Sequence, residues 1–181
     1  MNCTLSNVTK DFLDKYYDIL GEMIEEMTTV SNSDSISENF IGIYVPFCRA
    51  AAEMSENVLR FTQSLSIQNL ADDIADGQNE MQNNLSDINC ACSKNSDRDL
   101  RLYTRRANAI MCRIFSQMES ASFSNSVNQN YLAQMLPLCR GAIDLCENML
   151  RFSVCRELFD LASDNVCTLQ CTIKQIKLLT C

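Results

Sequence analysis

Eleven cysteines and nine methionines stand in a chain of 181 residues that has no histidine. Sulfur without imidazole points to two kinds of chemistry: capture of a soft ion such as Cu(I), or disulfide formation. It leaves little for catalysis. A serine or cysteine nucleophile lacks its commonest base, and a bundle-type di-iron centre needs Glu-x-x-His pairs that this composition cannot supply. The neighbouring carboxylates Glu25-Glu26 and Asp72-Asp73 point to different faces of a helix and read as solvated surface. The sequence predicts a protein that is not an enzyme, with no catalytic residue and no cofactor.

The cysteines fall into an inner and an outer set. Two stretches, VPFCRAAAEMSENVLRF at 45–61 and LPLCRGAIDLCENMLRF at 136–152, place Cys48 and Cys139 at the same point after a proline. Cys139 and Cys146, seven apart, share a helical face, as do Cys167 and Cys171, four apart. With Met54 beside them, Cys48, Cys139, Cys146, Cys167 and Cys171 form the candidate ligand set for Cu(I) or another soft metal. The simpler reading of Cys48 and Cys139 is that each is a small buried apolar residue. No Cys-x-x-Cys occurs, so the pattern is not that of a zinc knuckle.

The outer set is Cys3, Cys90, Cys92 and Cys181, at the termini and in the polar stretch NCACSKNSDRD, where exposure is the rule. Exposed thiols in such places suggest crosslinks between chains. An odd total leaves at least one thiol free, metal-bound or joined to another molecule.

These residues must be positioned by helices. Only four glycines and two prolines interrupt the chain, and tryptophan is absent. Phe12, Tyr16, Ile19, Leu20, Met23, Ile24 and Met27 recur at three- and four-residue steps, which is one apolar helix face. After a polar break, Ser35 with Glu38 has capping-box spacing, so a long helix is predicted from about Ser37 to Ser64, with Pro46 inside it. A third helix carries Ile67, Leu70, Ile74, Met81, Leu85 and Ile88 near a heptad spacing.

The plan then recurs. At an offset of 91 residues, twelve identities fall among positions 40 to 74, including Pro46 with Pro137, Glu56-Asn57 with Glu147-Asn148 and Leu59-Arg60-Phe61 with Leu150-Arg151-Phe152. This is an internal duplication. Repeat one spans 8–88, the linker 89–99 and repeat two 100–179, with helices predicted near 101–119, 129–154 and 157–179. The reading is a single all-α domain over 1–181: a four-helix bundle with an extra helix at the start of each repeat.

The motif NFIGIYVPFCRAAAEMSENVLRF followed by LADDIADGQNEM resembles the ferritin-like bacterial family known as domain of unknown function 305, across both repeats. That resemblance implies a duplicated ferritin-like bundle and, in some members, copper binding through His and Met. The family's His-His pair is replaced here by Phe47-Cys48 and Leu138-Cys139. Met54 stands at the family's methionine position, where the second repeat has Leu145 beside Cys146.

The net charge of −8 conceals an asymmetry: residues 1–91 carry 15 acidic against 4 basic side chains, and residues 92–181 carry 8 against 11. Such a chain can attract its own copies head to tail. No basic stripe interleaved with aromatics marks a nucleic-acid binder. The arginine-rich DRDLRLYTRR (Asp97 to Arg106) could hold an anion, or it is a helix's polar face supplying charge partners to the acidic half. The opening residues lack the pattern of a secretion signal, and no run approaches the roughly 18 apolar residues of a membrane span, so a soluble protein made in the cytoplasm is expected.

The functional expectation is a non-catalytic, cysteine-rich structural protein that assembles with itself or with other cysteine-rich proteins. Its Asn-, Ile- and Cys-rich style resembles proteins of anaerobic spore formers, which suggests a disulfide-crosslinked spore coat or exosporium layer. Soft-metal sequestration is the alternative.

Overall fold

The computed structural model describes residues 5–88 and 94–180, and these are all-helical, with no strand among them. The crosslinking candidates Cys3, Cys90, Cys92 and Cys181 lie outside the described residues. Six helices follow one another: α1 (Asn7–Thr28), α2 (Ile36–Leu59), α3 (Leu65–Asp87), α4 (Asp97–Glu119), α5 (Val127–Met149) and α6 (Arg156–Thr180). Among the described residues no helix is long and apolar enough to cross a membrane.

Side-chain pattern explains which helices lie at the centre. In α1 the buried residues Phe12, Tyr16, Ile19, Leu20, Met23 and Met27 form one strip, leaving the opposite face to its six carboxylates. A single strip can be covered by one neighbour. By contrast α2 buries residues all around its axis, from Ile36, Phe40, Tyr44 and Phe47 to Cys48, Ala51, Ala52, Met54 and Val58, and α5 does likewise. These two apolar helices pack on each other. Helix α2 also packs on α1 and α3, α5 packs on α4 and α6, and α3 meets α6 to close a bundle-like arrangement. One continuous core draws residues from all six helices.

Entry to each central helix is built from the same hydrogen bonds, 91 positions apart. Ser33 N donates to Asn39 Oδ1 at 2.8 Å, and Asn39 Nδ2 donates back to Ser33 O at 3.0 Å. Ser124 and Asn130 repeat both bonds at 2.8 and 2.9 Å. Ser35 and Ser126 are the N-caps, each accepting from the backbone three residues on at 3.4 Å. Further along, Asn57 Nδ2 donates to Phe12 O at 3.0 Å and Asn148 Nδ2 to Tyr103 O at 3.2 Å, tying each outer helix to its central one. Beside these bonds, Phe12 meets Phe61 and Tyr103 meets Phe152 edge to face, both at 6.0 Å.

Several boundaries differ from the sequence reading. The second helix, predicted to reach Ser64, ends at Leu59, and Ser64 instead is the N-cap of α3. The turn closes on itself: Ser64 N donates to Thr62 Oγ1 at 3.2 Å and Gln68 Nε2 to Thr62 O at 3.2 Å. The helix predicted over 129–154 likewise runs only from Val127 to Met149. The linker expected over 89–99 yields its last three residues to α4, because Ser96 caps that helix and Asp97 and Asp99 sit at its positive end. Both α2 and α5 run through their internal prolines, Pro46 and Pro137.

The arginine-rich segment makes no ion pair with the acidic half among the described residues. Among the described residues Arg98, Arg101, Arg105 and Arg106 make no ion pair; Arg113 pairs with Asp144 of its own half at 2.5 Å. Helix α4 packs chiefly on α5. The halves are joined instead by Lys94 with Asp34 at 2.6 Å, and by Asn95, which bonds to Ile36 N at 2.9 Å and Ser153 O at 2.8 Å.

Candidate functional site

Three of the inner cysteines, Cys48, Cys139 and Cys146, are buried, together with Met54. Tyr44 and Cys48 stand four residues apart on α2 and so share a face. Tyr44 stacks between Phe40 and Phe47 at 4.8 and 5.3 Å. Its hydroxyl accepts from Asn165 Nδ2 of α6 at 2.7 Å, and that amide also lies 3.8 Å from Cys146 Sγ of α5. A small polar knot therefore sits where α2, α5 and α6 meet. A second knot joins Ser55 and Tyr131 at 2.8 Å; since Ser55 Oγ donates to Ala51 O at 2.9 Å, the phenol is the donor between them.

Burial decides the state of these thiols. It pushes Cys139 up to about 12 and Cys146 up to about 11, the latter held back by hydrogen bonds from Tyr44 and Asn165. Cys48 is raised well above the ordinary thiol range, first by burial and then by the nearby Cys146 sulfur. All three are protonated at neutral pH, and a protonated thiol is neither a nucleophile nor a metal ligand. Cys146, which adds to the shift of Cys48, occupies the position of Ser55 in the other repeat.

The other two inner candidates do not join the buried trio. Cys167 and Cys171 lie on α6 and are exposed, well apart from the buried trio in character. Cys112 on α4 is also exposed and free. Cys155, in the turn before α6, is disulfide-bonded. Among the described residues no three His, Cys, Asp or Glu side chains gather closely enough to hold a metal ion.

Sequence reasoning missed Cys112 and Cys155. The signal for Cys112 was present: the buried strip of α4 runs Tyr103, Ala107, Met111, Ile114 and Met118, and Cys112 falls off it. Cys155 carried no comparable signal, because its pairing depends on how the chain folds back.

Compared with family models, with curated proteins and with solved structures, the chain matches none of them.

Proposed function

We propose that the chain is a non-catalytic structural protein, a duplicated ferritin-like bundle that assembles with its own copies and is linked through surface thiols. The observation that carries this reading is the exposure of Cys112, Cys167 and Cys171 on two different helices. An exposed thiol is open to disulfide exchange, whereas the buried trio is protonated and shielded. Reactive sulfur on two helices lets one chain join more than one neighbour, which is what a sheet or layer requires. Deposition in a spore coat or exosporium layer is part of the same proposal, as is descent from the Pro-centred repeat of the domain-of-unknown-function 305 family. The recurring hydrogen bonds at the helix entries support the duplication.

The test is controlled oxidation of purified protein followed by size analysis with and without reductant. Ladders of reducible multimers are expected. They should shrink when Cys112, Cys167 and Cys171 are replaced by serine, shrink further when Cys3, Cys90, Cys92 and Cys181 are also replaced, and persist in Cys48→Ser with Cys139→Ser. A chain that stays monomeric after oxidation would overturn the reading.

A second reading is favoured by the burial of Cys48, Cys146 and Met54 in one continuous core. Two soft sulfurs suit a linearly held Cu(I), with Met54 in the same core. Binding would release the thiol protons, so affinity should rise with pH. Competition titration with a Cu(I) chelator checks it: one ion per chain, lost in Cys48→Ser with Cys146→Ser, is the expected outcome.

A further inference from the structure

The pseudo-equivalent joints between outer helix and opposite loop are not filled alike. Where α1 meets the loop before α5, Phe123 packs edge to face on Tyr16 at 6.2 Å and on Tyr17 at 5.7 Å. Ninety-one residues from these positions stand Asn32, Ala107 and Asn108. Three aromatic rings have become two amides and a methyl group, and the space they would occupy is open. All three residues line a cleft of about 390 Å³ between α4 and the end of α1. It continues through Asn32, Asn39, Thr104 and Asn108 into an outer cleft of about 930 Å³.

The two ends of this groove differ in chemistry. Its inner part is walled by Met27, Val30, Ile43, Met111 and Phe115. Tyr103, at the place of Phe12, adds a buried hydroxyl with no partner among the described residues. The outer part carries Arg98, Arg101 and Arg105, which are exposed and form no ion pair among the described residues. In the first repeat the same positions are Asn7, Lys10 and Asp14, so the concentration of guanidinium groups belongs to the open side alone. Guanidinium groups bind carboxylate and phosphate oxygens by paired hydrogen bonds. Clefts of about 300 to 1,000 Å³ with apolar walls and a few convergent polar groups are of ligand-binding size.

We propose that this groove binds a small amphiphile with one anionic head, a carboxylate or phosphate, and an aliphatic tail. The head meets the arginines and the tail lies along the Met, Ile and Phe wall. The inference stands apart from thiol-linked assembly and does not need it.

The experiment is calorimetric titration of the full chain, under reducing conditions, with decanoate and with decyl phosphate below their micelle-forming concentrations. Decanol and inorganic phosphate serve as tail-only and head-only probes. Saturable binding of about one amphiphile per chain is expected for at least one head group, and which of the two binds more tightly identifies the head. Each single-part probe should bind at least tenfold more weakly. Asn32→Phe with Ala107→Tyr and Asn108→Tyr copies the filled joint of the other repeat and should weaken binding at least tenfold. Arg101→Glu with Arg105→Glu, on the exposed face, should do the same; it decides the matter alone if the first variant fails to fold by circular dichroism. No saturable binding of either amphiphile overturns the proposal. So does equal binding by the filled variant, or a signal that proves to be self-association through the arginines.

Discussion

Where α1 meets the loop before α5, Phe123 closes on Tyr16 and Tyr17; where α4 meets the loop before α2, the equivalent residues are Asn32, Ala107 and Asn108, and a cleft remains. The surrounding scaffold is nonetheless the same. Serine caps, reciprocal Ser–Asn bonds, the Asn57 and Asn148 amides and the edge-to-face ring pairs recur in both halves. The comparison teaches that backbone junctions and surface filling can diverge separately. Hydrogen bonds at a junction are costly to lose because each buried polar group must stay paired, while a joint open to water can lose its rings at little cost beyond their buried area.

If the scaffold is equivalent, the largest effects should match between halves. Phe12→Ala and Tyr103→Ala should each cost about 3–5 kcal/mol, as expected for emptying a buried aromatic site. Urea denaturation of the two variants measures this, and a gap much larger than about 1 kcal/mol would break the equivalence of the halves.

Alkaline pH should separate them next. Cys139 and Cys146 of the second repeat have folded pKa values of about 12 and about 11, raised by burial from 9.0. The folded state thus holds its protons more tightly than the unfolded chain. The stability they confer is complete below pH 9 and is lost as pH rises towards the folded values, by about 1.4 kcal/mol per pH unit for each thiol. Replacing Cys146 by serine, the residue at position 55 of the first repeat, should reduce the slope of stability against pH between 9 and 11 in chemical denaturation with reductant present.

A steric difference comes third. A methyl group added at Gly141 would fall on the Ile114 side chain, whereas the first repeat accommodates Ala50 at the same point. Gly141→Ala should therefore destabilise by about 1–3 kcal/mol through overpacking of α4 on α5, and trimming Ile114→Val should recover part of the loss in thermal melts. The smallest effect is at Tyr103. Its buried hydroxyl has no partner among the described residues, so Tyr103→Phe, which restores the residue type of Phe12, should raise stability by about 1 kcal/mol.

Much of the helical plan was legible because it rests on local rules. The strip from Phe12 to Met27 appears as one buried face, and Ser35 caps α2 within a residue or two of the expected start. The end of α2 was not legible. No glycine or proline marks it, and Arg60 keeps a helical backbone before the chain turns at Thr62 and Ser64. Of the candidate site, the sequence singled out the cysteines that prove to be buried at 48, 139 and 146, but it joined Cys48 to Cys139 by symmetry. The tertiary fold adds Asn165 of α6, whose amide reaches both Tyr44 and Cys146, a junction that depends on how α2, α5 and α6 come together.

What the sequence determined by itself is the helical class, the repeat and the periodic faces, since apolar spacing, caps and the scarcity of helix breakers act over a few residues. What only the tertiary structure decided is which thiols are shielded, which stand in solvent and where a groove opens. Those outcomes depend on contacts between residues far apart in the chain. Tyr16 and Phe123 close one joint across 107 positions, and the same joint in the other half stays open for want of three rings.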